Sequence, residues 1–144
     1  MDKKLRVLTT GVFDIIHPGH IDLFYLIKER WPGCHLIVGI NSDRRANELK
    51  EHILFNCEER ADLMGAIAYV DEVVIFEQDT PEELIGILRP DVFVKGGDWV
   101  AEELPEYETC QEIGTQVVCL DGTRPVRSSE LKQRLLEWQQ TLTV

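Results

Sequence analysis

The chain has 144 residues, 44% apolar and 28% charged, with a formal net charge of −11, which suits a single globular domain over residues 1–144. So large an acidic excess argues against nucleic acid or an anionic membrane as partner, since both demand a basic surface, but it leaves room for a phosphorylated small molecule held by local positive charge. Four cysteines (Cys34, Cys57, Cys110, Cys119) without C-x-x-C spacing suit reduced thiols. With no signal-peptide pattern at the start and no apolar run near the ~18 residues of a membrane span, a soluble cytoplasmic protein is expected.

Leu5–Thr9 reads as a first strand, apolar enough for a parallel sheet. It runs into Thr9-Thr10-Gly11-Val12-Phe13-Asp14-Ile15-Ile16-His17-Pro18-Gly19-His20, and an amphipathic helix follows from Ile21 to Arg30. Its stripe is read as Ile21, Phe24, Tyr25, Ile27 and Trp31. A loop between strand and helix lies at a helix N-terminus, where unpaired N–H groups and the macrodipole receive anions. Gly11 admits a ligand close to the backbone. Pro18 and Gly19 turn the chain so that His17 and His20, three apart, face one phosphate group. Zinc is the rival use of two histidines, but no third ligand stands near in sequence. The loop is read as a phosphate site.

Trp31-Pro32-Gly33 stops the helix, and His35–Ile40 is a second strand. Asn41-Ser42-Asp43 follows at the strand's carboxyl end, where open α/β sheets bind ligands. Residues 44–56 read either as a short helix to Lys50 with a loop after it or, for most of their length, as a solvated connector. Cys57–Tyr69 reads as a helix with Leu63, Met64, Ile67 and Ala68 inward, and Val73–Phe76 as a third strand. Thr80-Pro81-Glu82-Glu83 carries the signature of a capping box, with Leu84, Ile85, Ile87 and Leu88 as the buried face of its helix. Asp91–Lys95 is the fourth strand. Gly96-Gly97-Asp98-Trp99 then offers bare backbone and a stacking surface to a nucleobase or ribose, or else is a tight turn with a core tryptophan. Glu102–Ile113 reads as a helix broken by Pro105, Gln116–Leu120 as the fifth strand, and 130–139 as a closing helix. Ser128 and Ser129, beside Arg124 and Arg127, make a second anion site or a plain helix cap. The alternation predicts an α/β fold: a Rossmann-like, doubly wound, five-stranded parallel sheet with every motif on one edge.

Gly11-Val12-Phe13-Asp14 with His17-Pro18-Gly19-His20 resembles the G-x-F-D and H-x-G-H signature of the cytidylyltransferase-like nucleotidyltransferases. The likeness continues through Asn41-Ser42-Asp43, Glu59-Arg60, Tyr69–Val73 and Lys95–Trp99. Glycerol-3-phosphate cytidylyltransferases and the adenylyltransferase domain of ADP-heptose synthesis are both similar to it. The resemblance implies transfer of a nucleoside monophosphate from CTP or ATP, with Mg²⁺, to a phosphorylated sugar or polyol, releasing pyrophosphate. It assigns His17, His20, Lys50 and Arg124 to catalysis. Thr10, Gly11, Phe13, Gly19, Arg60, Gly96, Asp98, Ser128 and Ser129 would bind the nucleotide, and Asp14, Asn41, Asp43 and Trp99 the acceptor; no residue is assigned as a resident metal ligand. It further implies a homodimer, with Asp71 at the subunit interface. Two departures stand out: Glu51-His52 replaces an Arg-Pro pair after Lys50, and Ser128-Ser129 stands for a Ser-Thr-Thr run. They leave a catalytically silent nucleotide-binding module of the same fold as the alternative.

Overall fold

The computed structural model describes residues 3–50 and 52–142. Residues 1, 2, 143 and 144, the ends of the expected domain, and Glu51 of the connector lie outside the described residues. Five strands, β1 (Arg6–Gly11), β2 (His35–Asn41), β3 (Glu72–Phe76), β4 (Val92–Gly96) and β5 (Gln116–Leu120), form one all-parallel sheet in the order β3-β2-β1-β4-β5. The helices are α1 (Pro18–Arg30), α2 (Asp43–Leu49), α3 (Cys57–Gly65), α4 (Glu82–Leu88), α5 (Tyr107–Ile113) and α6 (Ser128–Leu142), with a 3₁₀ turn at Ala101–Glu103.

Because strand side chains alternate between faces, the buried runs divide into two cores. Val7, Leu36, Val38, Ile40, Val92 and Val94 pack with Leu23, Phe24 and Ile27 of α1 and Met64 of α3. Leu8, Ile37 and Phe93 pack on the opposite face with Leu84 and Ile85 of α4 and Cys110 of α5. This is the expected doubly wound fold. Strand order reverses direction between β1 and β4, so the crevice at their carboxyl ends is where such a sheet takes ligands.

Several local expectations are corrected. In α1 the inner stripe is Leu23, Phe24 and Ile27, and Tyr25 is exposed, because each residue turns about 100° from the last and Tyr25 falls beyond the core-facing sector. Thr80 does not cap α4: Pro81 itself holds the cap position at φ −70°, ψ −5°, with no side-chain cap bond. Ile87, on the outer side of α4, is exposed. Residues 57–69 are not one helix, since α3 ends at Gly65 and the Ile67 and Val70 amides close separate turns onto Met64 and Ile67. Residues 43–49 are helical, capped by the Ser42 hydroxyl and anchored by buried Ala46. The closing helix is longer than expected, and Ser128 is its first helical residue. From Gln133 onward α6 is exposed all round, with Leu135, Leu136, Trp138 and Leu142 facing solvent.

Candidate active site

A cavity of about 540 Å³ opens at the β1/β4 crevice. Its walls come from the end of β1 and the loop after it (Thr9–Asp14), the first turn of α1 (His17, Gly19, His20), the end of β4 (Lys95, Gly96) and the start of α6 with its approach (Thr123, Val126–Ser129, Lys132), together with Lys50.

The histidine pair is fixed by the backbone of its own turn. Pro18 takes the first helical position, where no N–H is needed. The Gly19 amide donates to His17 Nδ1 at 3.1 Å, and the His17 amide donates to His20 Nδ1 at 3.3 Å. The rings stack with centroids 3.7 Å apart and planes 22° from parallel. Since each Nδ1 is an acceptor, the neutral imidazoles carry their protons on Nε2. Burial lowers the pKa of both, and for His20 burial and the neighbouring His17 bring it to about 4. At neutral pH the pair is therefore two uncharged N–H donors at the N-terminus of α1, whose first turn holds no acidic residue.

Neighbouring residues support the pair. Phe13 adopts a left-handed backbone (φ 51°), and its ring meets His20 edge-on at 5.1 Å and Phe24 at 5.9 Å. A Cβ on Gly11 would lie 3.0 Å from the Phe13 ring, and one on Gly19 would lie 2.9 Å from the His17 ring. A side chain at either position would have to displace a ring that shapes the phosphate loop.

The electrostatics of the wall oppose those of the whole chain. Among the described residues, Lys50, Lys95, Arg127 and Lys132 line it with one carboxylate, that of Asp14. Lys50 closes α2, its amide bonded to the Ala46 carbonyl. The Lys95 ammonium lies 5.4 Å from the Trp99 ring centroid. The protein is acidic overall, yet this cavity is locally cationic, as a polyphosphate requires.

The expected site residues are not all brought together. His17, His20, Lys50, Thr10, Gly11, Phe13, Gly19, Gly96, Ser128, Ser129 and Asp14 share the cavity. Ser128 also donates its hydroxyl to the Ile15 carbonyl at 3.3 Å, tying α6 to the phosphate loop. Arg124, Arg60, Asp98, Asn41, Asp43 and Trp99 do not line it. Arg124 binds Asp22 of α1 through Nε, Nη2 and its own amide, and so staples the 121–127 loop to α1. Arg60 is fully buried and donates to the carbonyls of Phe55, Val12 and Asn41 and to the Asp43 carboxylate. Its guanidinium is spent on the framework beneath the site. Asn41 is buried, and Asp43 opens α2. Asp98 and Trp99 are exposed beyond the wall. Asp71, away from the cavity, accepts from the Lys28 ammonium and the Leu36 amide.

Asp14 has a different setting from the one expected of an acceptor ligand. Its carboxylate accepts from the Leu54 and Phe55 amides at 2.9–3.0 Å and pairs with Lys132 at 3.1 Å. Burial pulls its pKa upward, but those donors outweigh it and hold the pKa below the usual carboxylate value. Three further cations line the cavity: Arg127, read from sequence beside the second anion site, Lys95, read there only as part of its motif, and Lys132, which no sequence reading singles out. The available signals were position alone: Lys95 precedes Gly96 at a strand's carboxyl end, and Lys132 lies four residues after Ser128 on the same helix face.

A cytidylyltransferase-like family model matches residues 8–138. The chain belongs to the cytidylyltransferase-like family. By that membership it is a nucleotidyltransferase. It is similar to the D-β-D-heptose 1-phosphate adenylyltransferase of Bordetella bronchiseptica, 42% identical over 117 residues, or 79% of this chain and 71% of that protein. It is also 38% identical over 136 residues to the bifunctional protein HldE of Syntrophotalea carbinolica, covering 93% of this chain but 27% of that one. This cytidylyltransferase-like chain thus spans about a quarter of such bifunctional relatives. Among solved structures, the lipopolysaccharide core biosynthesis protein of Thermoplasma volcanium superposes with a TM-score of 0.69 at 25% identity, over 85% of this chain and 99% of that one.

Proposed function

We propose that the protein transfers AMP from MgATP to a sugar 1-phosphate of the heptose type and releases pyrophosphate. A phosphate oxygen of the acceptor attacks the α-phosphorus in line. The bond from that phosphorus to the bridging oxygen breaks, and pyrophosphate leaves with its electron pair. No proton must be removed from the attacking phosphate, so catalysis needs positioning and charge stabilisation more than a general base. The observation that carries this reading is the stacked His17/His20 pair, whose occupied Nδ1 atoms leave the Nε2–H groups as donors for phosphate oxygens beside Lys50, Lys95 and Arg127. An arriving triphosphate raises the basicity of both rings, so growing negative charge is met by donors that strengthen with it.

Mg²⁺ enters as part of the nucleotide substrate. Among the described residues no three His, Cys, Asp or Glu side chains form a metal cluster, and Asp14 is already committed to amides and Lys132. Triphosphate oxygens and water are the fitting ligands for such an ion.

ATP is preferred to CTP, and a heptose phosphate to glycerol 3-phosphate, because of the similarity to the heptose 1-phosphate adenylyltransferase. The test is melting temperature with MgATP and with MgCTP, followed by pyrophosphate release with D-β-D-heptose 1-phosphate or glycerol 3-phosphate. A ligand at 100 times its dissociation constant adds about 2.7 kcal/mol, a rise of several degrees. A shift and turnover with CTP and glycerol 3-phosphate alone would overturn this choice. Binding of ATP without pyrophosphate release from any sugar 1-phosphate would instead indicate the silent module. In the same reading the enzyme works in the cytoplasm as a homodimer; the uncovered apolar side chains of α6 support the dimer, which light scattering tests.

A further inference from the structure

Residues 52–55 have no fully buried side chain among them, and their anchorage is polar. His52 takes a left-handed backbone (φ 48°). Its carbonyl accepts from the Lys132 ammonium at 3.0 Å. The same ammonium lies 3.1 Å from Asp14, whose carboxylate is 4% exposed and accepts from the Leu54 and Phe55 amides. Three parts of the chain distant in sequence, the phosphate loop, residues 52–55 and α6, therefore meet at one ion pair whose carboxylate is buried and whose ammonium is partly exposed. With two of its donors engaged and its charge answered by Asp14, Lys132 is not a spare cation for a phosphate. Lys50 is exposed in the same cavity wall, two residues before His52.

We propose that Lys132 is a positioning residue: by bridging Asp14 and the His52 carbonyl it sets the path of residues 52–55 and thereby the place of Lys50 over the phosphate site. Asp14 is the other half of this anchor. The inference rests on the nucleotidyl-transfer reading for its substrate, but its geometry is independent of which nucleotide is used. It separates two lysines of one cavity into different roles: Lys50 acts on phosphate, and Lys132 acts through Lys50.

The test is a double-mutant cycle of Lys132→Met and Lys50→Met, read as kcat and KM for MgATP in pyrophosphate release with D-β-D-heptose 1-phosphate. Each single variant should lower kcat/KM by roughly 10- to 100-fold, and the double variant should be no worse than the poorer single one within about twofold. Lys132→Arg, which keeps a cation within reach of Asp14, should recover most of the loss. Amide exchange at Leu54 and Phe55 gives a readout free of turnover and should quicken at least about tenfold in Lys132→Met while the β1 amides keep their protection. Losses that multiply in the double variant, or unchanged exchange at Leu54 and Phe55, would overturn the proposal. Should Lys132→Met fail to fold, Lys132→Gln takes its place in the same cycle. If the wild-type protein releases no pyrophosphate, the nucleotidyl-transfer reading fails on its own, and MgATP affinity through the same cycle, with the exchange rates, still decides the role of Lys132.

Discussion

Replacing Arg60 by Met removes a charge but keeps most of the side-chain volume, and it separates a framework role from a nucleotide-binding one. Arg60 is fully buried and donates to three backbone carbonyls, Phe55, Val12 and Asn41, while pairing with a half-exposed Asp43 at 3.0 Å. A buried acceptor left without a donor costs about 1–3 kcal/mol, whereas the Asp43 pair is discounted for its exposure to below about 1 kcal/mol. Partial hydration of the carbonyls brings the total to about 3–5 kcal/mol, the range found when one partner of a buried polar cluster is removed. With an unfolding entropy of about 2.1 cal/mol/K per residue, 144 residues give about 0.3 kcal/mol/K, so the melting temperature should fall by about 10–17 °C. Differential scanning calorimetry measures it directly. A fall below about 3 °C combined with a large rise in KM for the nucleotide would refute the framework role and return Arg60 to the triphosphate.

Other outcomes follow from the phosphate loop. His17→Ala and His20→Ala should each reduce turnover by about 10²-fold or more in steady-state assays, with circular dichroism unchanged. Gly19→Ala should reduce kcat by about tenfold or more, because the new Cβ would stand 2.9 Å from the His17 ring and 3.3 Å from the Arg124 carbonyl; full activity would mean the ring has room to move. Folding lowers the His20 pKa from 6.5 to about 4, so the unfolded chain takes up a proton first. Stability from this group is complete above pH 6.5 and is lost as pH falls toward 4, on the order of 1.4 kcal/mol per unit. Thermal melts across that window should be flatter in His20→Gln than in wild type. Asp14, held below its usual pKa by the Leu54 and Phe55 amides and Lys132, loses its contribution only at lower pH, in the same direction.

What could be read from sequence was what local physics determines. Val7 and Leu8 begin an apolar run that only a strand covered on both faces explains, and the five such runs yield the sheet. The phosphate loop is legible because Pro18 and Gly19 sit between two histidines where a helix must begin. Partnerships across the fold were not legible. Glu59-Arg60 reads as readily as a surface pair as a nucleotide contact, and nothing local shows that the guanidinium enters the core to collect carbonyls from residues up to 48 positions away. Asp14 belongs to the motif by spelling, yet its partners lie 40 and 41 residues on and in α6. Arg124 looks like an anion ligand until α1 places Asp22 beside it.

These three side chains share one logic. Each is a charged group near the phosphate site, and each is committed to holding a loop: Arg60 the ends of β1 and β2, Asp14 residues 54–55, Arg124 the approach to α6. Among the described residues, the wall charges not cancelled in such pairs are Lys50, Lys95 and Arg127, beside the Nε2–H groups of two neutral histidines. An acidic protein can thus build an anion site by cancelling its framework charges in pairs and leaving a cationic remainder on the wall. Reversing one remainder charge, as in Lys95→Glu, should therefore weaken triphosphate binding far more than its small share of the net charge implies, and raising salt should erode that difference only in part because the cavity is sheltered.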